Sequence, residues 1–189
     1  MELFGKHRLV PHPHFRPSAR LTVSVEVALR EDRTLFLTYA VSPAASLRFA
    51  DHGKGRKGGL WKSTCFEMFL RPQGGGYDEY NFAPDSAWDA YRFADWREGM
   101  SSLPLRTNPY MVDSRIDERK LDFPERYALD VLLESEVLPS AGGTASFTAV
   151  IEETDGGKSY WALAHPSGDT PDFHHPACFA LKVPPASET

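Results

Sequence analysis

Three tryptophans, three glutamates, three tyrosines and an asparagine crowd into one stretch of this chain, from Leu60 to Met100. The run begins Leu60-Trp61-Lys-Ser-Thr-Cys65-Phe-Glu67-Met-Phe69-Leu70 and resumes, after a glycine-rich turn, as Tyr77-Asp-Glu79-Tyr-Asn81-Phe. Trp88, Tyr91, Arg92 and Trp96 complete it. A carboxylate set among aromatic rings needs a hydrogen-bonding partner, because burial without one is costly. Two kinds of partner are open for Glu67: the hydroxyls of a bound ligand, or an internal arginine. Trp61 can stack its indole on the apolar face of a pyranose or plug the end of a core. Asn81 offers both a donor and an acceptor, which suits vicinal hydroxyls. Glu79 lies two residues before it, on the same face of a strand. Tyr91 and Arg92 end the following strand, where a cross-strand Arg–Glu pair is the plainer reading.

Other chemistry is less well supported. Two carboxylates across a cleft would fit a glycosidase that uses Glu67, although sequence supplies no such geometry. His165, His174 and His175 lie near Asp169 and Asp172, but within one loop rather than converging from several elements. His12 and His14 form a His-x-His pair without an acid or cysteine at ligand spacing, so no metal site is assigned. Nucleophile-elbow, zinc-protease and dinucleotide-binding motifs are all missing. The loop His52–Lys62 places Lys54, Arg56, Lys57 and Lys62 among glycines. It lacks phosphate-cradle spacing and is read as solvated. No residue is assigned a catalytic role.

These side chains must be positioned by strands. Leu21, Val23, Val25, Val27 and Leu29 alternate with small or polar residues, and Leu35, Leu37, Tyr39 and Val41 repeat the pattern after a charged turn. That is an antiparallel hairpin with one wet face. Strands are expected over 61–70, 80–84 and 88–93, a helical turn over 95–100 and a weak strand over 109–117. Further strands are expected where Tyr127 to Leu133 and Phe147 to Ile151 alternate, then over 159–164 and 178–183. In a regular strand Trp61, Cys65, Glu67 and Phe69 share one face, while Phe66, Met68 and Leu70 take the other. The prolines of residues 1–20 favour extended backbone. No segment keeps a helical period. Roughly nine to eleven short strands with frequent turns describe an all-β fold, an antiparallel β-sandwich or jelly roll.

The bulk numbers agree. A chain of 189 residues reads as one domain able to bury a core without staples. A net charge of −5 gives no clustered basic footprint for nucleic acid. No run of about 18 apolar residues suggests a membrane span, and the first residues do not read as a secretory signal. A cytoplasmic location is expected, with Cys65 and Cys178 as buried free thiols.

Three motifs in order carry a resemblance: Leu60-Trp61-x-x-Thr64-x-x-Glu67-x-Phe69, the segment Tyr77 to Phe93, and Phe173-His174-His175-Pro176-Ala177-Cys178-Phe179. Together they resemble the DOMON-like superfamily, close to carbohydrate-binding module family 9, over about residues 20–183. The Tyr160-Trp-Ala-Leu-x-His165-Pro166 run is similar to a bacterial subset of DOMON-like proteins. The resemblance implies a β-sandwich that binds sugars or, in another branch, haem. In the sugar branch Trp61, Glu67 and Asn81 match the binding pattern, Glu79 takes a position that can be basic, and His165 stands near the place of a second clamping tryptophan. Thr64 replaces the usual acid of the first motif. In the haem branch Met68 and His165 would be the ligands to iron, with Met68 on the buried face. The expected function is non-catalytic recognition of a sugar or related small molecule by Trp61, Glu67, Glu79, Asn81, Tyr91 and His165, with no cofactor. Haem binding, or a glycan-active enzyme using Glu67, is the alternative.

Overall fold

The computed structural model describes residues 1–115 and 126–186. In chain order the strands are β1 (Gly5–Pro11), β2 (Thr22–Leu29), β3 (Thr34–Ser42), β4 (Gly55–Arg56), β5 (Cys65–Pro72), β6 (Tyr77–Phe82) and β7 (Ala87–Phe93). They continue as β8 (Ser101–Ser102), β9 (Tyr110–Arg115), β10 (Tyr127–Glu134), β11 (Gly143–Glu152), β12 (Lys158–Ala162) and β13 (Leu181–Val183). Eleven of them form one continuous path, β4-β7-β6-β5-β11-β12-β1-β2-β3-β10-β9, with β8 against β7 and β13 against β11. Neighbours pair antiparallel except β4 with β7. The all-β, mainly antiparallel expectation holds.

The path folds over on itself at β1. Gly5 to Leu9 pair with β2, while Val10 and Pro11 cross to β12. The proline-rich start of the chain, expected only to be extended, therefore supplies the strand that joins the two layers, and it buries Leu3, Leu9 and His12. Between the layers, Val23, Val25, Val27, Leu35, Leu37, Leu129 and Val131 of one sheet meet Phe66, Met68, Leu70, Phe82, Phe147 and Ile151 of the other. Burying that apolar surface is the main stabilising term, at about 25 cal/mol per Å². Tyr39 spans the core, its hydroxyl donating to the Glu67 carbonyl at 2.8 Å.

The two sheets differ in their outer faces. β2 and β10 alternate buried and open residues along their length. β5 and β6 are buried on both faces over most of theirs. A second apolar cluster of Phe69, Tyr77, Phe93, Val150, Ala162, Phe173 and Phe179 covers the outer side. The hairpin between β5 and β6 turns through Gly76 at φ 65°, where an added Cβ would come within 2.6 Å of the Phe93 carbonyl oxygen. Glycine is required there.

Several expected boundaries move. The strand expected from Trp61 starts at Cys65, because Gly59 at φ 80° leads into a 3-10 turn over Leu60–Lys62 whose Leu60 is buried. Residues 95–100 are not helical. Asp95 and Glu98 exchange backbone hydrogen bonds around Arg97, which sits at φ 56°. The last strand is shorter than expected, since Pro176–Cys178 form a 3-10 turn before it. Of the weak strand expected over 109–117, β9 covers Tyr110–Arg115 and the rest lies outside the described residues. The tail expected to fray lies partly outside them too, at 187–189.

Candidate functional site

The strand periodicity of two puts Glu67, Glu79, Asn81 and Thr148 on the outer face of the sheet formed by β6, β5 and β11, in register. Glu67 lies opposite Asn81 on one side and Thr148 on the other, and Glu79 lies opposite Phe69 and Tyr91. Glu67 is 2% exposed and Glu79 5%. Both reach the floor of a cleft of about 350 Å³ lined also by Trp61, Phe93, Arg97, Met100, Val150, Tyr160, Pro171, Phe173 and His174.

Among the described residues, no cation bonds the two acids directly. Thr148 donates its hydroxyl to Glu67 Oε2 at 2.7 Å, and Asn81 donates Nδ2 to Glu79 Oε1 at 2.6 Å. Of the two kinds of partner open for Glu67, an internal arginine is not found among the described residues: Arg92 pairs with Asp78 across β6 and β7, on the exposed side. Burial, with Glu79 beside it, raises the Glu67 carboxyl to about 8, against the lowering effect of Thr148. Burial raises Glu79 to about 7, partly offset by Asn81 and Arg97. Neighbouring buried acids resist joint ionisation, so the pair retains protons near neutrality.

The cleft's other side comes from the Phe173–His174 segment and the Arg97 turn. The Arg97 backbone N–H donates to the Tyr77 hydroxyl at 3.2 Å, which leaves that hydroxyl to donate to His174 Nδ1 at 2.8 Å. Nε2 of His174 then carries the hydrogen and faces Glu79 Oε2 at 3.8 Å. Burial, and Arg97 nearby, lower His174 to about 4. At neutral pH it is an uncharged imidazole, and its contact with Glu79 is not an ion pair. Arg97 is committed to Asp172, with Nε at 3.1 Å and Nη2 at 2.8 Å from one oxygen. Trp96 Nε1 donates to the other oxygen at 3.1 Å.

Trp61 is 39% exposed and meets Tyr91 edge-on, ring centroids 5.9 Å apart. Tyr91 is itself anchored: its hydroxyl donates to Asp89 Oδ2 at 2.5 Å, and Arg56 Nε holds the other Asp89 oxygen at 2.7 Å. The loop read as solvated therefore contributes one anchoring guanidinium, while Lys54 and Lys57 are exposed.

Of the candidates named from sequence, Trp61, Glu67 and Glu79 line the cleft. Asn81 lies beneath, holding Glu79, and Tyr91 backs Trp61. His165 stands apart, with Nε2 on the Val10 carbonyl at 3.0 Å and its ring 5.0 Å from that of His12. The Met68–His165 pairing of a haem reading does not form, since Met68 is fully buried between the sheets. His174 and Arg97 were not singled out as binding residues. The Phe-His-His-Pro segment was a signal for the first, whereas nothing local marks Arg97. Cys65 and Cys178 are buried and unbridged.

No protein-family model matches this chain, and no curated protein matches it. Three solved structures share its fold. One, described as a candidate carbohydrate-binding protein from Bacteroides uniformis, superposes with a TM-score of 0.65 at 16% identity, over 95% of this chain and 86% of that one. A carbohydrate-binding module of family 9 from Caldicellulosiruptor kristjanssonii, in complex with cellotriose, gives 0.51 at 12% identity, over 95% and 84%. The same module with glucose gives 0.51 at 12%, over 96% and 87%. At these identities the likeness is one of fold.

Proposed function

We propose that the cleft binds a small saccharide and that the chain acts as a non-catalytic recognition domain. One observation carries this reading: a part-exposed indole, Trp61, shares a cleft of about 350 Å³ with two buried carboxyls. Aromatic walls cover the apolar faces of a sugar ring, and polar groups held by second partners meet its hydroxyls. The volume is at the small end for ligand pockets, which run from about 300 Å³ upward, and suits one or two sugar rings. The solved structures of similar fold that hold cellotriose and glucose support the same direction.

A hydrolytic role fits less well. Glu67 and Glu79 stand side by side on adjacent strands of one sheet face, rather than flanking a bond from two sides. Titration of mono- and disaccharides followed by Trp fluorescence and calorimetry tests the proposal. A saturable signal that disappears in Trp61→Ala is expected. Silence from the whole panel in the native protein would refute it.

A further inference from the structure

Among the described residues, no cation forms an ion pair with either acid at the cleft floor, and Arg97 eases only Glu79, from a distance. Thr148 and Asn81 are neutral donors, and each satisfies a single carboxyl oxygen. Oε1 of Glu67 receives no hydrogen bond among the described residues, and Oε2 of Glu79 meets only the uncharged His174 at 3.8 Å. The guanidinium lining the cleft, Arg97, is held by Asp172. Glu67 and Glu79 are each more than nine-tenths buried, so every charge they carry is poorly solvated. Around them stand Trp61, Phe93, Tyr160 and Phe173, and aromatic faces attract cations.

An opposite charge from the ligand would meet all of these features together. We infer, building on the saccharide reading above, that the sugar taken by this cleft is a hexosamine, its primary ammonium seated at the free oxygens of Glu67 and Glu79 and its ring against the aromatic walls. A neutral hydroxyl at the same place would leave the acids protonated and form no ion pair with them. The raised affinity of both acids for protons agrees with this, because an arriving ammonium displaces those protons into the solvent.

Calorimetry on the full chain at pH 7 tests the assignment with glucosamine, galactosamine and mannosamine, their parent hexoses and their N-acetyl derivatives. Each is run in two buffers of unlike ionisation enthalpy, and cyclohexylamine serves as the amine without a sugar. At least one hexosamine is expected to bind about tenfold or more tighter than both its parent and its N-acetyl form, with net proton release. Glu67→Gln is expected to erase that preference. If it does not fold, as judged by its thermal transition, Glu79→Gln serves in its place. Parent hexoses binding as tightly as the amines would overturn the ammonium assignment and leave the saccharide reading standing, as would a preference that survives the substitution. Cyclohexylamine binding as well as the best hexosamine would overturn the sugar part. No binding by any compound would overturn both.

Discussion

The hydroxyl of Tyr77 lies 2.8 Å from Nδ1 of His174, a bond between strand β6 and a loop 97 residues further along the chain. It fixes the imidazole's tautomer and ties the Phe173–His174 wall of the cleft to its floor, while the same hydroxyl accepts the Arg97 N–H. Tyr77→Phe removes both bonds in a part-buried site. A loss of about 1–2 kcal/mol of stability is expected, read from urea unfolding. Ligand affinity should fall as well, since His174 and Arg97 lose a shared anchor. Unchanged stability and affinity together would show that the bond holds nothing in place.

Stability should fall as pH rises above neutrality. Glu67 and Glu79 titrate near 4.5 when unfolded but are raised to about 8 and about 7 when folded. Between those limits the folded chain binds more protons than the unfolded one, so raising pH favours unfolding. His174, lowered from 6.5 to about 4, gives the opposite slope below pH 6.5, and His12 and His165 are shifted the same way. The histidines' opposing contribution fades between about pH 6.5 and 7.5, so the acids dominate the upper part of the window from 6.5 to 8. A decline on the order of 2 kcal/mol is expected across it, measured from urea midpoints. Glu67→Gln should flatten that slope.

Trp61→Ala separates binding from folding. The indole is part exposed and packs edge-on against Tyr91, so the fold should lose no more than about 1 kcal/mol. Saccharide affinity should drop at least about tenfold, which corresponds to about 1.4 kcal/mol. Thermal unfolding and calorimetry on one preparation check both halves.

Arg56→Ala should be costly although Arg56 comes from a loop rich in glycine. Its guanidinium serves Asp89 at 2.7 Å, the Ala90 carbonyl at 2.7 Å, Ser102 at 2.9 Å and the Leu103 carbonyl at 3.0 Å. Removing it leaves the buried Asp89 carboxylate without its cation, held only by the Tyr91 hydroxyl and the Ala90 N–H, and about 3 kcal/mol of stability should go with it. Lysine, with a single point charge, should not restore the planar set of bonds. A full rescue by Arg56→Lys in chemical unfolding would contradict this account.

Much of this architecture is written locally. Val23, Val25 and Val27, like Leu129 and Val131, alternate because a strand's side chains point to opposite faces and one face must leave water. The same period groups Glu67 with Cys65 and Phe69, pairs Glu79 with Asn81, and assigns Phe66, Met68 and Leu70 to the core side, whereas the strand register brings the two acids onto one face. Where the backbone left the regular period, local reading failed. Gly59 bends Trp61 out of β5 and Arg97 turns at positive φ, and neither event shows in hydrophobic spacing.

The sequence by itself determined the strand faces and the meeting of aromatic rings with acids on one of them, because period and residue type are properties of neighbours along the chain. Only the tertiary structure decided that Glu67 finds Thr148 instead of an arginine, that His165 turns to Val10, and that His174 and Arg97 close the cleft. Those partners come from 75 to 155 residues away. Their pairing depends on how the sheets curl over β1 and where the closing loop lands, which no local pattern encodes.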